Sequence, residues 1–355
     1  MENWQPLAAI TLVGSMPHKD RNKVIELILK AVPEVPVWPQ LPSFPKEGML
    51  IQYLEGLPGV REEGGETAIH PDAPEFEQEL YEFYEAYIEI EEGRGDLAHS
   101  RFAMGPETGK TFFQFIDALK DASSPLRAVK GQIVGPFTLL TTLKDQRGRA
   151  LIYDEPLQEV VTKHLALKAK WQILQLSSFG QPVILFLDEP ALAGFGSSAL
   201  ISISEELVQR LLSEVVSSVH EVGALAGIHI CANTDWNLVL RSGVDIINFD
   251  AYNYFDRFVL YREAFLKFIE EGHIIAWGII PTNDPDIVDR ENAENLANLW
   301  LDRIQQLVSP SVSRSAILAQ SLFTPSCGCG SLPEKTAERV VQLTQELGQI
   351  MRSYL

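Results

Sequence analysis

Cysteine is scarce in this chain, with three in 355 residues. That is too few to staple a fold, and two of them, Cys327 and Cys329, flank a single glycine. In a reducing compartment, cysteines so placed point to metal or thiol chemistry rather than to disulfides. Positive charge is short as well: 29 Lys and Arg against 48 Asp and Glu give a net charge of −19, and no local basic patch offsets it. A nucleic-acid duplex or an anionic membrane surface would repel such a chain. No stretch approaches eighteen consecutive apolar residues, and the first residues lack the basic start and apolar core of a signal peptide. The expectation is therefore a cytoplasmic protein with neither a membrane nor a nucleic-acid partner. Internal repeats and low-complexity tracts are missing too. Hydrophobic residues at 46% leave ample material for a large core and exclude disorder.

Short apolar, β-branched runs that stop at Gly, Pro or a polar residue mark buried parallel strands. Eight occur: Ala8 to Val13, Val35 to Trp38, Val129 to Val134, Val183 to Leu187, Ala224 to Ile230, Val244 to Phe249, His273 to Ile279 and Ala316 to Phe323. Amphipathic segments separate most of them, namely Asp20 to Ala31, Leu157 to Leu176, Ser204 to Val222, Tyr261 to Glu271 and Arg290 to Val308, with a last one at Glu334 to Leu355. First to last run spans 316 residues, of which 87 (Pro42 to Ala128) form an excursion after the second run, leaving 229. A (β/α)8 barrel takes about 250 residues. The reading is thus an α/β chain, residues 1–355 forming one (β/α)8 TIM barrel with an insertion at 42–128. An open doubly wound sheet would want a glycine-rich phosphate turn after its first strand, and none is present.

The insertion opens on Pro36-Val-Trp-Pro-Gln-Leu-Pro-Ser-Phe-Pro45 and carries an acidic helix, Pro74 to Glu92. Its apolar stripe of Phe76, Leu80, Phe83, Tyr87 and Ile90 suits a cap on the barrel mouth. Gly105-Pro-Glu-Thr-Gly-Lys-Thr111 imitates a phosphate loop but has three residues where four belong between the glycines, and no strand precedes it.

Catalytic groups of such barrels follow the carboxyl ends of the strands. Here those positions offer Ser15, Gln40, Thr138, Asp188-Glu189, His229-Ile-Cys231, Asp250, Pro281-Thr282 and Cys327-Gly-Cys329. His229 and Cys231 are two apart in extended chain, so both leave the same side of the strand. With Cys327 and Asp250 they make a set of two sulfurs, one nitrogen and one oxygen that suits Zn2+, and three protein ligands with one exchangeable position is the catalytic pattern. A satisfied core histidine and a small buried cysteine are the plain alternatives. Asp188 and Glu189 either cap a following helix or hold a substrate ammonium.

These stretches resemble the catalytic half of cobalamin-independent methionine synthase, in the superfamily of uroporphyrinogen decarboxylase and the methylcorrinoid:thiol methyltransferases. The matching segments are Val13-Gly-Ser-Met-Pro17, Gly135-Pro-Phe-Thr-Leu-Leu140, Leu187-Asp-Glu-Pro-Ala-Leu192, His229-Ile-Cys231, Asp245-Ile-Ile-Asn-Phe-Asp250 and Thr324-Pro-Ser-Cys-Gly328. The resemblance implies that His229, Cys231, Cys327 and Asp250 hold zinc, and that zinc holds a thiol as thiolate. It further implies that Asp188 meets the amino group of homocysteine with Ser15 near the carboxylate, and Glu47 is a candidate for the family's other homocysteine-binding glutamate; Glu189, next to Asp188 at the same strand end, is placed with it in the substrate site. Departures from the family pattern are Asp250 where Glu is usual, an extra Cys329 able to replace Cys327, Pro281 where a proton-donating histidine stands, and Thr142 where a tryptophan lies against folate. The last two turn the expectation from folate to a methylcorrinoid donor, with a corrinoid carrier protein as partner. Rival expectations are methyl transfer to a thiol such as coenzyme M, porphyrinogen decarboxylation, and a non-catalytic corrinoid- or thiol-binding protein.

Overall fold

In a computed structural model of the chain, residues 4–122 and 126–355 are described. Seven parallel strands make one sheet. They are β1 (Ala9–Ile10), β4 (Val129–Val134), β5 (Val183–Asp188), β6 (Leu225–Ile230), β7 (Ile246–Phe249), β8 (Ile274–Ile280) and β9 (Ser321–Pro325), in the spatial order β1-β9-β8-β7-β6-β5-β4. An antiparallel hairpin, β2 (Val60–Glu63) with β3 (Glu66–Ile69), stands apart in the insertion. The runs at 129–134, 183–188 and 225–230 sit where their apolar residues place them, because a strand buried on both faces has no polar alternation to blur it.

The second expected strand does not form a ladder. Residues 35–40 join the two sheet edges by isolated bridges, Ser15 with Gln40 and Val37 with Lys130. The backbone bonds Met16 N–H to Gln40 O (2.9 Å), Gln40 N–H to Gly14 O (3.1 Å) and Lys130 N–H to Pro36 O (2.9 Å) close the barrel there. Pro36 and Pro39 have no N–H to give, so a continuous ladder cannot run through them. Side chains supply further ties: Thr11 Oγ1 donates to Val35 O (2.8 Å), Gln132 Nε2 to Trp38 O (3.0 Å) and Lys130 Nζ to Val13 O (2.7 Å).

Three other expectations change. The run at 316–323 is half helix: Arg314–Ala319 is helical, capped by Ser313, and β9 begins only at Ser321. A short apolar run does not distinguish a buried helix turn from a strand. Helix Glu155–Leu176 is buried over most of its surface, leaving a narrow outer strip of Glu159, Lys163, Lys170 and Leu174, with its His164 Nε2 meeting Tyr53 O (2.9 Å) and its Lys168 Nζ donating to Ala103 O (3.1 Å). It is sandwiched between the sheet and the insertion. The acidic helix Phe76–Glu91 leans on that same helix, where Phe83 packs edge-on against Phe102 and beside His164. It covers the barrel's flank, and none of its residues lines the cleft at the mouth. The imitation phosphate loop already holds an anion of this chain, since Gly105 N–H (3.2 Å) and Thr108 Oγ1 (2.6 Å) both donate to Glu55.

Candidate metal centre at the barrel mouth

A cleft of about 480 Å³ opens at the carboxyl ends of the strands, and its lining includes Ser15, Gln40, Asp188, His229, Cys231 and Cys327. β6 ends in His229 and Ile230, so Cys231 is the first residue past the strand and two on from His229, and Cys327 lies two past the end of β9. The ligand atoms of His229, Cys231 and Cys327 all lie within 4.8 Å of one another. Strand alternation brings the first two together; only closure of the sheet brings the third.

His229 is 3% exposed, and its tautomer is set by its neighbour. Asn248 Nδ2 donates to Ala276 O (2.7 Å) and to Thr324 Oγ1 (2.8 Å), which turns Asn248 Oδ1 to His229 Nδ1 at 2.6 Å. Nδ1 must then carry the proton, leaving Nε2 as a lone pair. That Nε2 is buried and has no partner. A buried acceptor left bare is costly, and a metal ion is the partner its chemistry fits. The Cys231 and Cys327 thiols are neighbours. The Cys327 side chain holds the Cys231 thiol below its usual range, and Cys231 together with burial pushes Cys327 above it. A thiol so lowered is closer to the thiolate that a metal binds.

Two expected members of the site are engaged as helix caps instead. Asp250 lies outside the three-residue cluster; its two carboxylate oxygens accept from Asn253 N–H (2.9 Å) and Asn253 Nδ2 (2.7 Å), capping helix Ala251–Phe258. Burial is the largest influence on it and raises its pKa. Glu189 turns away from the cleft. It accepts from Phe137 N–H (3.0 Å), Thr138 N–H (2.7 Å) and Thr138 Oγ1 (2.6 Å), holding the amino end of helix Pro136–Thr142, and burial pushes it up to about 7. Gly135 is obligatory beside it, since a Cβ there would stand 2.2 Å from the Glu189 carboxyl carbon.

Asp188 stays in the cleft. It is 7% exposed, its Oδ1 has no partner, and burial lifts it to about 6. Ser15 stays too, so close to the 328–330 turn that a Cβ on Gly328 would lie 2.0 Å from Ser15 Oγ. Cys329 points into the core, where burial pushes it up to about 12, so it does not stand in for Cys327. Glu47 is buried against Arg21 (2.9 Å) and Thr111 (2.5 Å), away from the cleft. Thr142 is exposed and borders a separate surface groove with Lys144 and His70, and Pro281 is buried outside the cleft.

Two contributors went unread in the sequence. Asn248 had a signal, a polar residue within the apolar strand Ile246–Phe249 and in phase with Asp250. Lys130, wholly buried with its ammonium 4.4 Å from the Phe186 ring centroid, had a weaker one, a charge inside an otherwise apolar run. Burial lowers it to about 7, against the pull of Asp188.

No protein-family model matches the chain, and no curated protein matches it. Among solved structures, it is similar to the tandem GH20 catalytic modules of the pneumococcal exo-β-D-N-acetylglucosaminidase StrH, at 10% identity and a TM-score of 0.48, covering 97% of this chain and 82% of that one. It is also similar to the GH113 β-mannanase AaManA of Alicyclobacillus acidocaldarius, at 8% identity and a TM-score of 0.36 over 69% and 77% of the two chains. A third is a GH5-4 broad specificity endoglucanase from Clostridium acetobutylicum, at 10% identity and a TM-score of 0.32 over 66% and 88%. Likeness at this level says nothing about activity. The barrel class rests on the strand order and the closure at residues 35–40.

Proposed function

We propose that this chain is a zinc-dependent enzyme acting on a thiol at the mouth of a (β/α)8 barrel. More particularly, it transfers a methyl group to a thiol bearing a primary amine, with homocysteine as acceptor and methionine as product. The observation that carries this reading is the bare, buried Nε2 of His229 beside the thiols of Cys231 and Cys327, the three ligand atoms all lying within 4.8 Å of one another. Zinc bound by His229, Cys231 and Cys327 would hold a fourth, exchangeable ligand, and a coordinated thiol is deprotonated at neutral pH.

The chain's own residues do the rest. Asp188, with an unpartnered oxygen in the same cleft, takes an ammonium, because a buried carboxylate is expensive unless a cation meets it. Ser15 and the 328–330 turn close one side and orient the bound thiol. The thiolate then attacks the methyl carbon; the new sulfur–carbon bond forms as the donor–carbon bond breaks, and its electron pair leaves with the donor. No Phe, Tyr or Trp lines the cleft among the described residues. A flat pterin has nothing to stack on there, which favours a methylcorrinoid donor. Thr142 no longer contributes to that argument, because it faces a different groove.

Other readings are weaker on the same residues. Glycoside hydrolysis needs two carboxyl groups roughly 5 to 9.5 Å apart, and Asp188 is the one carboxylate in the cleft lining among the described residues. Porphyrinogen decarboxylation wants cations for several carboxylates, and that lining holds no arginine. The test is an assay of zinc-loaded protein with homocysteine and either methylcobalamin or methyltetrahydrofolate. Methionine from methylcobalamin alone is expected; folate-dependent methionine formation overturns the donor, and no methylated thiol with either donor overturns the reaction.

A further inference from the structure

Gln40 lines the cleft yet is only 3% exposed, and its amide is not free to turn. Gln52, fully buried and contributed by the insertion, donates from Nε2 to the Thr108 carbonyl oxygen at 2.6 Å. A carbonyl can only accept, so the orientation of Gln52 is fixed, and its Oε1 is left to accept from Gln40 Nε2 at 2.8 Å. Gln40 in turn must present its own carbonyl oxygen to the cleft. The backbone holds the same point, since Gln40 and Ser15 pair across the bridge that closes the barrel. An oriented acceptor in the same cleft as Asp188, whose Oδ1 has no partner, suits a ligand group with several N–H donors and opposes a second carboxylate.

We infer that Gln52 is a positioning residue, which through Gln40 aims an acceptor at the amine of the bound thiol and so makes amine recognition depend on the insertion. This rests on the thiol reading of the cleft. The insertion is then part of the site even though its acidic helix lies on the barrel's flank.

Two measurements decide it. In metal-free protein labelled with 15N-glutamine, Gln52→Met should move the Gln40 side-chain amide resonance, assigned through Gln40→Met; an unmoved resonance overturns the inference whatever the ligand is. In zinc-loaded protein, calorimetry with homocysteine and with 4-mercaptobutanoate, which lacks the amine, should show Gln52→Met weakening homocysteine by about tenfold. The amine-free thiol should bind as before, zinc content should hold, and Gln40→Met with Gln52→Met should cost no more than either alone. Equal weakening of both thiols, or of neither, overturns the recognition role. If the unaltered protein binds neither thiol, the thiol reading itself falls and takes this ligand assignment with it, while the Gln40 resonance still decides whether Gln52 sets its orientation.

Discussion

The two sides of the barrel are built differently. From β4 through β9 to β1 the strands are sewn by backbone ladders, and all three metal-binding candidates stand on or just past that part of the sheet. At residues 35–40 the wall closes by isolated bridges and side-chain ties instead, and Gln40, across from Ser15, stands on that seam. A metal centre needs ligand positions held to about half an ångström, which a ladder provides. Asp188 stands on that side too, at the end of β5. The seam has fewer backbone bonds and draws support from the insertion, through Gln52, whose Oε1 accepts from Gln40 Nε2 at 2.8 Å, and through Tyr53, whose hydroxyl donates to Gln132 O at 2.7 Å.

The comparison breaks first at the ladder side. Cys231→Ser should reduce zinc from about one per chain to background, with loss of the Zn–S scattering near ~2.3 Å in X-ray absorption. Asn248→Ala keeps all three ligands but frees the His229 tautomer, so metal affinity should fall by about 10- to 100-fold in a chelator competition. If Asp250→Ala removes zinc more completely than Cys231→Ser, the helix cap described for Asp250 is the wrong role.

At the seam the expected effect is on stability rather than metal. Thr11→Val keeps the side chain's shape but leaves Val35 O without its buried donor, which should cost about 1 to 3 kcal/mol in denaturant unfolding with zinc content unchanged. Equal loss of zinc would mean the two sides are one unit after all.

The smallest effect is a pH limb. Asp188 has its pKa lifted by burial to about 6, so it is neutral below that value and charged above it. KM for homocysteine should therefore fall as pH rises, by about tenfold per unit below pH 6, and level off above. An amine-free thiol should lack this limb, since the metal's own pH dependence is common to both substrates. A shared limb would assign the titration to the metal centre.

Much of the barrel was legible in the residues. Val129 to Val134 and Val183 to Leu187 read as strands because burial on both faces leaves an unbroken apolar run, and His229 and Cys231 read as a pair because extended chain repeats every two residues. Ala316 to Phe323 misread because four apolar residues fit a helix turn as well as a strand. The capping roles of Asp250 and Glu189 were not legible, because a carboxylate at a strand end looks the same in sequence whether it faces a ligand or caps the next helix.

The sequence by itself determined the β/α alternation and which residue types stand at the strand ends, since both depend on spacing along the chain. Tertiary structure alone decided which of those residues meet. Cys327 is 96 positions beyond Cys231 and joins it through the order of the strands, whereas Cys329, two residues further, turns into the core. The orientation of Gln40 was decided by Gln52 and Thr108, partners 12 and 56 residues apart, each in turn, along the chain. Hydrogen-bond direction depends on which partner folding brings within about 3 Å, and no local pattern carries that distance.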